Sequence, residues 1–311
     1  MLPMATRKED LDSYVPRGGR YVPGEERSID LVVALLRHVG GLAARVAFER
    51  SFKMIRGRLL EDRFLLGIDR LGGQGHGDEA LVSVCEKIGM PRNMLTSFMG
   101  TLANANHVYF GAENDDTSLT FKAYLEFRDK IEAEIAGAPA TGRSYSLFTG
   151  FKWDARFPSQ QAVTGYIWHP SLPTAEILQR LRIIINPLAH GVLYGVVKEM
   201  TERVSATIPS DAIQYVEVTE EGNPRTSFDI NMYKAGHQVQ EMRALLLRAQ
   251  QHYAIPPAQF DSLYERIKTE RFGHLAGGVD RQGRDFMTVY YGVTQTDGSW
   301  LRSAAVAQDR R

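Results

Sequence analysis

Five stretches of this 311-residue chain read as antiparallel hairpins, and helical sequence separates each from the next. They are Phe48–Asp69, His107–Glu126, Leu147–Trp168, Ile213–Lys234 and His274–Val293. Polar clusters at Asn114–Thr117, Glu221–Pro224 and Asp280–Gly283 supply turns between paired strands. Ten strands made in pairs leave edges that must be covered, and closing them on one another removes the edges. The expected fold is therefore α/β: a ten-stranded antiparallel barrel of five hairpins surrounded by helices.

No Pro/Gly/Ser-rich linker divides the middle of the chain, so one barrel domain is expected over residues 27–297. Residues 1–26 read as a flexible N-terminal arm and 298–311 as a polar C-terminal tail. Thirty-seven basic residues balance thirty-seven acidic ones, which leaves no global field for nucleic acid or an anionic membrane. Any cationic site must be local. The single cysteine, Cys85, cannot form an internal disulfide, and no apolar run approaches the roughly 20 residues that span a bilayer. Met1–Glu26 lacks the hydrophobic centre of a signal peptide, and with the lone cysteine this leads to the expectation of a cytoplasmic protein; a monomer is expected.

Between the hairpins, Ser28 is placed to cap a helix striped by Ile29, Leu31, Val32, Leu35 and Leu36. Gly40 and Gly41 are expected to interrupt it, with Leu42–Ala47 continuing toward the first strand. Further helices are expected near Glu79–Ile88 and Arg92–Leu102. Two helix pairs follow: Pro173–Asn186 with Val192–Val204, and Val239–Tyr253 with Ala258–Arg271, broken at prolines. Ala136–Gly142 reads as a loop.

A strand's period of two sorts residues by face. Lys122, Tyr124 and Glu126 share one face of the second hairpin, opposite Phe121, Ala123, Leu125 and Phe127. The apolar face belongs against helices, which turns the polar face into the barrel. By the same rule Glu49, Ser51 and Lys53 group together, as do Arg63, Leu65 and Gly67, and Thr164, Tyr166 and Trp168. In the fourth hairpin Asn231 and Tyr233 share one face, Met232 and Lys234 the other. In the fifth, Thr288 and Tyr290 oppose Val289 and Tyr291.

An inward set of Arg63, Lys122, Tyr166, Tyr233 or Lys234, and Tyr290 suits a pyrophosphate, because buried cations require an anionic partner. The other reading makes them solvated edge residues, or internal ion pairs with Glu49, Glu126 and Asp69. Tyr124, Trp153 and Trp168 either shield a carbocation or simply fill the barrel. Glu49 is either a general base or a salt-bridge partner of Lys53. Gly72–Gly77 lacks the Lys-Ser/Thr ending of a P-loop and reads as a turn, and Asn114-Asp115-Asp116 sits at a hairpin tip without a second acidic cluster. The histidines show no paired metal-ligand spacing, and no G-x-S-x-G elbow occurs.

The order of these segments resembles the ABBA-type aromatic prenyltransferases, and within them the peptide-modifying enzymes of cyanobactin biosynthesis. The resemblance rests on Glu49-Arg-Ser-Phe-Lys53 with Arg63-Phe-Leu-Leu66, on Leu119-Thr-Phe-Lys122-Ala-Tyr124, on Gly150-Phe151 with Tyr166, and on Met287-Thr-Val-Tyr290-Tyr291. It implies that Glu49 takes a proton from the acceptor, and that Arg63 and Lys122 bind the diphosphate of a dimethylallyl or geranyl donor. It also implies magnesium accompanying that diphosphate, and an aromatic or other nucleophilic side chain of a ribosomally made peptide as the acceptor, with a small aromatic molecule such as a free indole, phenol or amino acid as the alternative. A non-catalytic barrel that binds an isoprenoid or a peptide is the reading of another class. Gly67 is the expected opening for a longer donor. Glu126 departs from the family's basic residue at its position and would repel a diphosphate if it faced the site.

Overall fold

Alternation of apolar and polar residues along each strand produces a wall with a greasy outside and a polar inside. In the computed structural model, residues 25–42, 45–70, 77–114, 118–137, 142–280, 282–298 and 301 are described. The first hairpin comprises β1 (Arg45–Ile55), a short β2 (Arg58–Leu60) and β3 (Arg63–Asp69). The others are β4 (His107–Asn114) with β5 (Leu119–Glu126), β6 (Tyr145–Asp154) with β7 (Gln161–His169), β8 (Gln214–Glu220) with β9 (Asn223–Asn231), and β10 (Phe272–Val279) with β11 (Asp285–Asp297). Neighbouring strands pair antiparallel from β3 through β11, and β1 joins β3 to β11. The result is the expected closed ten-stranded barrel, with β2 an appendage paired to the end of β1.

Helix α1 (Glu25–Leu42) leads into the first hairpin, and α2 (Asp78–Lys87), α3 (Arg92–Leu102), α4 (Arg128–Ala136), α5 (Thr174–Ile185), α6 (Pro187–Ser205), α7 (Arg243–His252) and α8 (Pro257–Ile267) connect the hairpins. All these connections leave from one end of the barrel, and the hairpin turns lie at the other. Two large apolar cores fill most of the space between wall and helices, beside a small one that packs Ile131 of α4 on Leu147 and Val216. One packs Leu35, Leu36, Val84 and Phe98 of α1 to α3 on Phe48, Leu66, Phe110 and Phe121. The second packs Leu181, Val197, Leu246 and Phe260 of α5 to α8 on Phe52, Ile230, Leu275 and Val289. Each fully buried side chain of this size contributes about 1.5–3 kcal/mol. The barrel therefore owes its solidity to its outside, which leaves the interior available for polar groups.

Several local expectations are corrected. Helix α1 begins before Ser28 and runs through Gly40 and Gly41 to Leu42, and Arg45 already starts β1. Packing of Val39 into the core outweighs the helix-weakening glycines. The break between α5 and α6 falls at Pro187 as expected, but α6 starts at that proline rather than at Val192, consistent with its missing N–H at a first turn, and a kink follows at His190. β9 ends at Asn231, so Tyr233 and Lys234 occupy a 3-10 turn and not a strand. Leu301, within the stretch read as a polar tail, is fully buried in the first core. The N-terminal arm to residue 24, most of the Gly72–Gly77 turn, residues 115–117 of the Asn114–Thr117 tip and most of the Ala136–Gly142 loop lie outside the described residues.

Trp153 is the largest correction of side. It faces outward, 1% exposed, stacks near Phe121 and donates its indole N–H to the Ile88 carbonyl at 3.2 Å. It joins strand to helix and cannot line a pocket within the barrel. Trp153→Ala is expected to cost about 3–5 kcal/mol of stability, the usual range for a large aromatic removed from a core. Thermal and urea unfolding of the variant check this.

Candidate functional site

The inward side chains enclose a cavity of about 490 Å³. That volume lies within the roughly 300–1,000 Å³ typical of small-molecule sites. Its two ends carry opposite character. Toward the hairpin turns stand Lys53 on β1, Arg63 on β3, Lys122 on β5 and Lys152 on β6, with Glu113 of β4 among them. Toward the helical connections stand Glu49, Glu126, Asp229, His274 and Arg128. Glu49 and Lys53 lie four residues apart on one strand, roughly 13 Å at about 3.3 Å per residue.

Register builds the cationic end. Arg63 lies directly opposite Glu113 across the β3–β4 ladder, and Lys122 lies opposite Lys152 across β5–β6. Arg63 ion-pairs with Glu113 and donates to the Ser51 hydroxyl at 3.2 Å. Lys122 donates to the other Glu113 oxygen at 2.7 Å, and the Lys53 ammonium is 3.9 Å from the first. Lys152 has no carboxylate partner among the described residues; its ammonium stands 5.9 Å from the centre of the Tyr166 ring. Burial, with Arg63 and Lys152 close by, pushes the Lys122 amine down to about 7 despite Glu113. Burial also lowers Lys53. Although burial works against its charge, Glu113 is held well below the usual carboxylate range by Arg63, Lys122 and Lys53. Three cations thus share one carboxylate, Lys152 stands beside them with none among the described residues, and an excess of that kind in a largely enclosed site calls for a further anion.

At the other end Glu49 is almost fully buried. It accepts a hydrogen bond from the Tyr233 hydroxyl at 2.7 Å and lies 3.9 Å from His274 Nε2. His274 Nδ1 faces Asp229 at 2.9 Å. Burial raises the Glu49 carboxyl above its ordinary value, against the pull of His274 and Tyr233. Burial works against a charged His274, yet Asp229 and Glu49 push it up to about 9. Glu126 faces inward, but at this end and already engaged: Tyr109 donates to it at 2.6 Å and Arg128 at 2.9 Å. Its expected repulsion of an anion at Lys122 does not arise, because four strand residues separate the two.

Aromatic rings line the middle. Tyr124 meets Tyr166 edge-on with centroids 5.7 Å apart, Phe148 meets Tyr166 likewise, and Tyr290 lies beside His274. Tyr109 and Tyr124 each lie across a glycine of the neighbouring strand, Gly67 and Gly150. A Cβ at Gly67 would stand 2.9 Å from the Tyr109 ring, and one at Gly150 would stand 2.8 Å from the Tyr124 ring. The glycines are what let these rings lie flat on the wall.

Of the residues expected from sequence, Glu49, Arg63, Lys122, Tyr124, Tyr166, Tyr233 and Tyr290 meet in the cavity. Tyr233 reaches Glu49 from its 3-10 turn rather than the cationic end, and Glu49 pairs with it rather than with Lys53. Lys234 is exposed on that turn and points away from the barrel interior. Trp168 faces inward but sits outside the cavity wall, its ring 5.5 Å beneath the Arg128 guanidinium. Gly67 is no opening, because Tyr109 fills the space. Glu113, Lys152, Asp229 and His274 were not anticipated. The same period of two, applied to β4, β6, β9 and β10, would have placed them inward.

No family model matches the sequence, and no curated protein matches it. Solved structures do match its backbone. The 5-dimethylallyltryptophan synthase from Streptomyces coelicolor superposes with a TM-score of 0.56 at 12% identity, covering 90% of this chain and 93% of that one. A 6-dimethylallyl tryptophan synthase gives 0.51 at 12% identity, covering 88% and 96%. The prenyltransferase PriB, in a ternary complex with L-tryptophan and dimethylallyl thiolodiphosphate, gives 0.50 at 11% identity, covering 85% and 96%. The fold is the ABBA prenyltransferase barrel. At these identities the likeness establishes the fold, and the chemistry must be argued from the cavity. In this ABBA barrel an anion entering among Lys53, Arg63, Lys122 and Lys152 would strengthen the hold of Lys122 on its proton. Lys122 is therefore expected to contribute proton uptake to the binding of inorganic pyrophosphate between about pH 7 and 9. Calorimetry in two buffers of different ionisation enthalpy measures it, and Lys122→Met should remove most of it.

Proposed function

We propose that this chain is an aromatic prenyltransferase that moves a dimethylallyl group from its diphosphate to an electron-rich ring of a small indole-type acceptor. The observation that carries this reading is the polarised interior. A surplus of buried cations occupies one end of a closed barrel, a buried carboxylate the other, and aromatic rings lie between them. The matched structures support it, since two are named for dimethylallylation of tryptophan and one holds tryptophan beside a donor analogue. For the same reason a free indole or amino acid is favoured over a peptide acceptor. Tyr109 over Gly67 favours the short donor over geranyl.

The chemistry follows from the geometry. Lys53, Arg63, Lys122 and Lys152 hold the diphosphate and stabilise the charge it gains as the allylic C–O bond breaks, the electron pair leaving with oxygen. The faces of Tyr124, Tyr166, Tyr290 and Phe148 shield the allyl cation, and the barrel wall keeps water from quenching it. A π pair of the acceptor ring then forms the C–C bond. The ring proton passes to Glu49, whose raised proton affinity suits a base, while Tyr233 and His274 fix its orientation.

Magnesium fits poorly as a group held by the protein. No cluster of three or more His, Cys, Asp or Glu side chains among the described residues could hold a metal ion. The carboxylate nearest the proposed diphosphate, Glu113, has both oxygens engaged by Arg63 and Lys122. No step is assigned to a metal.

Glu49→Gln keeps size and hydrogen bonding but loses proton affinity. Turnover is expected to fall by about 10²–10⁴, the typical worth of a general base, while donor affinity and melting temperature stay near normal. Arg63→Ala and Lys122→Ala should each cost on the order of 2–4 kcal/mol of binding to a non-ionisable thio-analogue of the donor, measured by calorimetry. Mass spectrometry of tryptophan, indole and peptide acceptors, incubated with dimethylallyl and geranyl donors with and without EDTA, tests the reading directly. Prenylation of peptides alone would shift the acceptor class, and absence of transfer to every acceptor would leave a non-catalytic binding barrel.

A further inference from the structure

Four carboxylates line the cavity, and three of them gather at the helical end. Glu113 stands apart, in the middle of the cations. Its partners are all charged: Arg63 and Lys122 in contact, with Lys53 at 3.9 Å. Its side chain is 14% exposed, so these pairs are only weakly screened by water. Arg63 has a second anchor in Ser51 and keeps its place if Glu113 leaves. Lys152, across the ladder from Lys122, is left without a carboxylate among the described residues.

We propose that Glu113 is an internal counter-ion that holds the place of the donor's diphosphate, so that donor binding is an exchange of one anion for another. This rests on the diphosphate site argued above and adds the residue that regulates it. A single carboxylate satisfies part of the cationic cluster and keeps it folded in the empty barrel. A diphosphate carries more charge and more acceptor oxygens, so it displaces Glu113 and also engages Lys152. A ligand with a single negative charge gains too little to do so. Glu113 therefore selects for multiply charged anions and lowers the affinity of the site for all of them. Because Arg63, Lys122 and Lys53 keep it ionised, protonation does not remove it, and the incoming anion must push it aside.

The test is calorimetric titration of inorganic pyrophosphate and inorganic phosphate into the wild-type chain and Glu113→Gln, with melting temperatures measured with and without pyrophosphate. Expected is a tighter pyrophosphate complex in the variant, by at least roughly tenfold, since a unit charge at contact distance is worth more than that in a partly screened site. The pyrophosphate-to-phosphate preference should narrow. The variant should melt lower when empty and recover more with pyrophosphate than the wild type does. Weaker binding in the variant would make Glu113 a brace that positions the cations, and unchanged binding would place it outside the exchange; either overturns the proposal. Should Glu113→Gln not fold, Glu113→Asp, one methylene shorter, should show the same tightening to a smaller degree, and its absence overturns the proposal equally. If pyrophosphate binds to neither wild type nor variant, the diphosphate site itself falls, and the exchange with it.

Discussion

Strand β1 lies between β3 and β11, and its ladder to β11 from Arg45–Asp297 to Met54–Met287 turns an open sheet into a barrel without edges. Every feature of the interior depends on that pairing. An open sheet would expose Lys53, Arg63 and Lys122 to water, where their charges are screened and cost nothing to keep. Closure removes most of that water, shifts the Lys122 amine and the Glu49 carboxyl in opposite directions, and obliges each cation to find a partner. The helices matter because they make closure affordable. By filling the apolar cores on the outside of the wall, they free the inside from the task of holding the fold together.

The interior is divided along the strands rather than around them. Because all helical connections leave one end and all hairpin turns the other, position along a strand decides which end a side chain serves. Lys122 and Glu126 share a face of β5, yet one belongs to the cationic cluster and the other to Tyr109 and Arg128. Between them the tyrosines lie against glycines, an arrangement that widens the cavity where a side chain on both strands would close it. A reaction that separates a leaving anion from a cation and then removes a proton needs three such zones in a row, kept dry.

The sequence by itself determined the wall. Alternation in five hairpins with helical spacers fixes which faces pack outward, and a closed barrel is the way to cover so many edges. The same alternation set Glu49, Arg63, Lys122, Tyr124, Tyr166 and Tyr290 on inward faces, because facing depends only on parity along a strand. What parity cannot supply is register. Glu113 meets Arg63, and Lys122 meets Lys152, only because of how one hairpin slides against the next, and that is set by turns and core packing distributed over the chain. His274 and Glu49, 225 positions apart in sequence, meet only because the barrel closes. Where a strand stops is equally a tertiary matter: Tyr233 and Lys234 left the strand pattern once β9 ended at Asn231, and the turn sent one hydroxyl to Glu49 and the other side chain to solvent. The outward side of Trp153 follows from parity with the inward Lys152; what only the tertiary structure supplied is the Ile88 carbonyl that accepts from its indole.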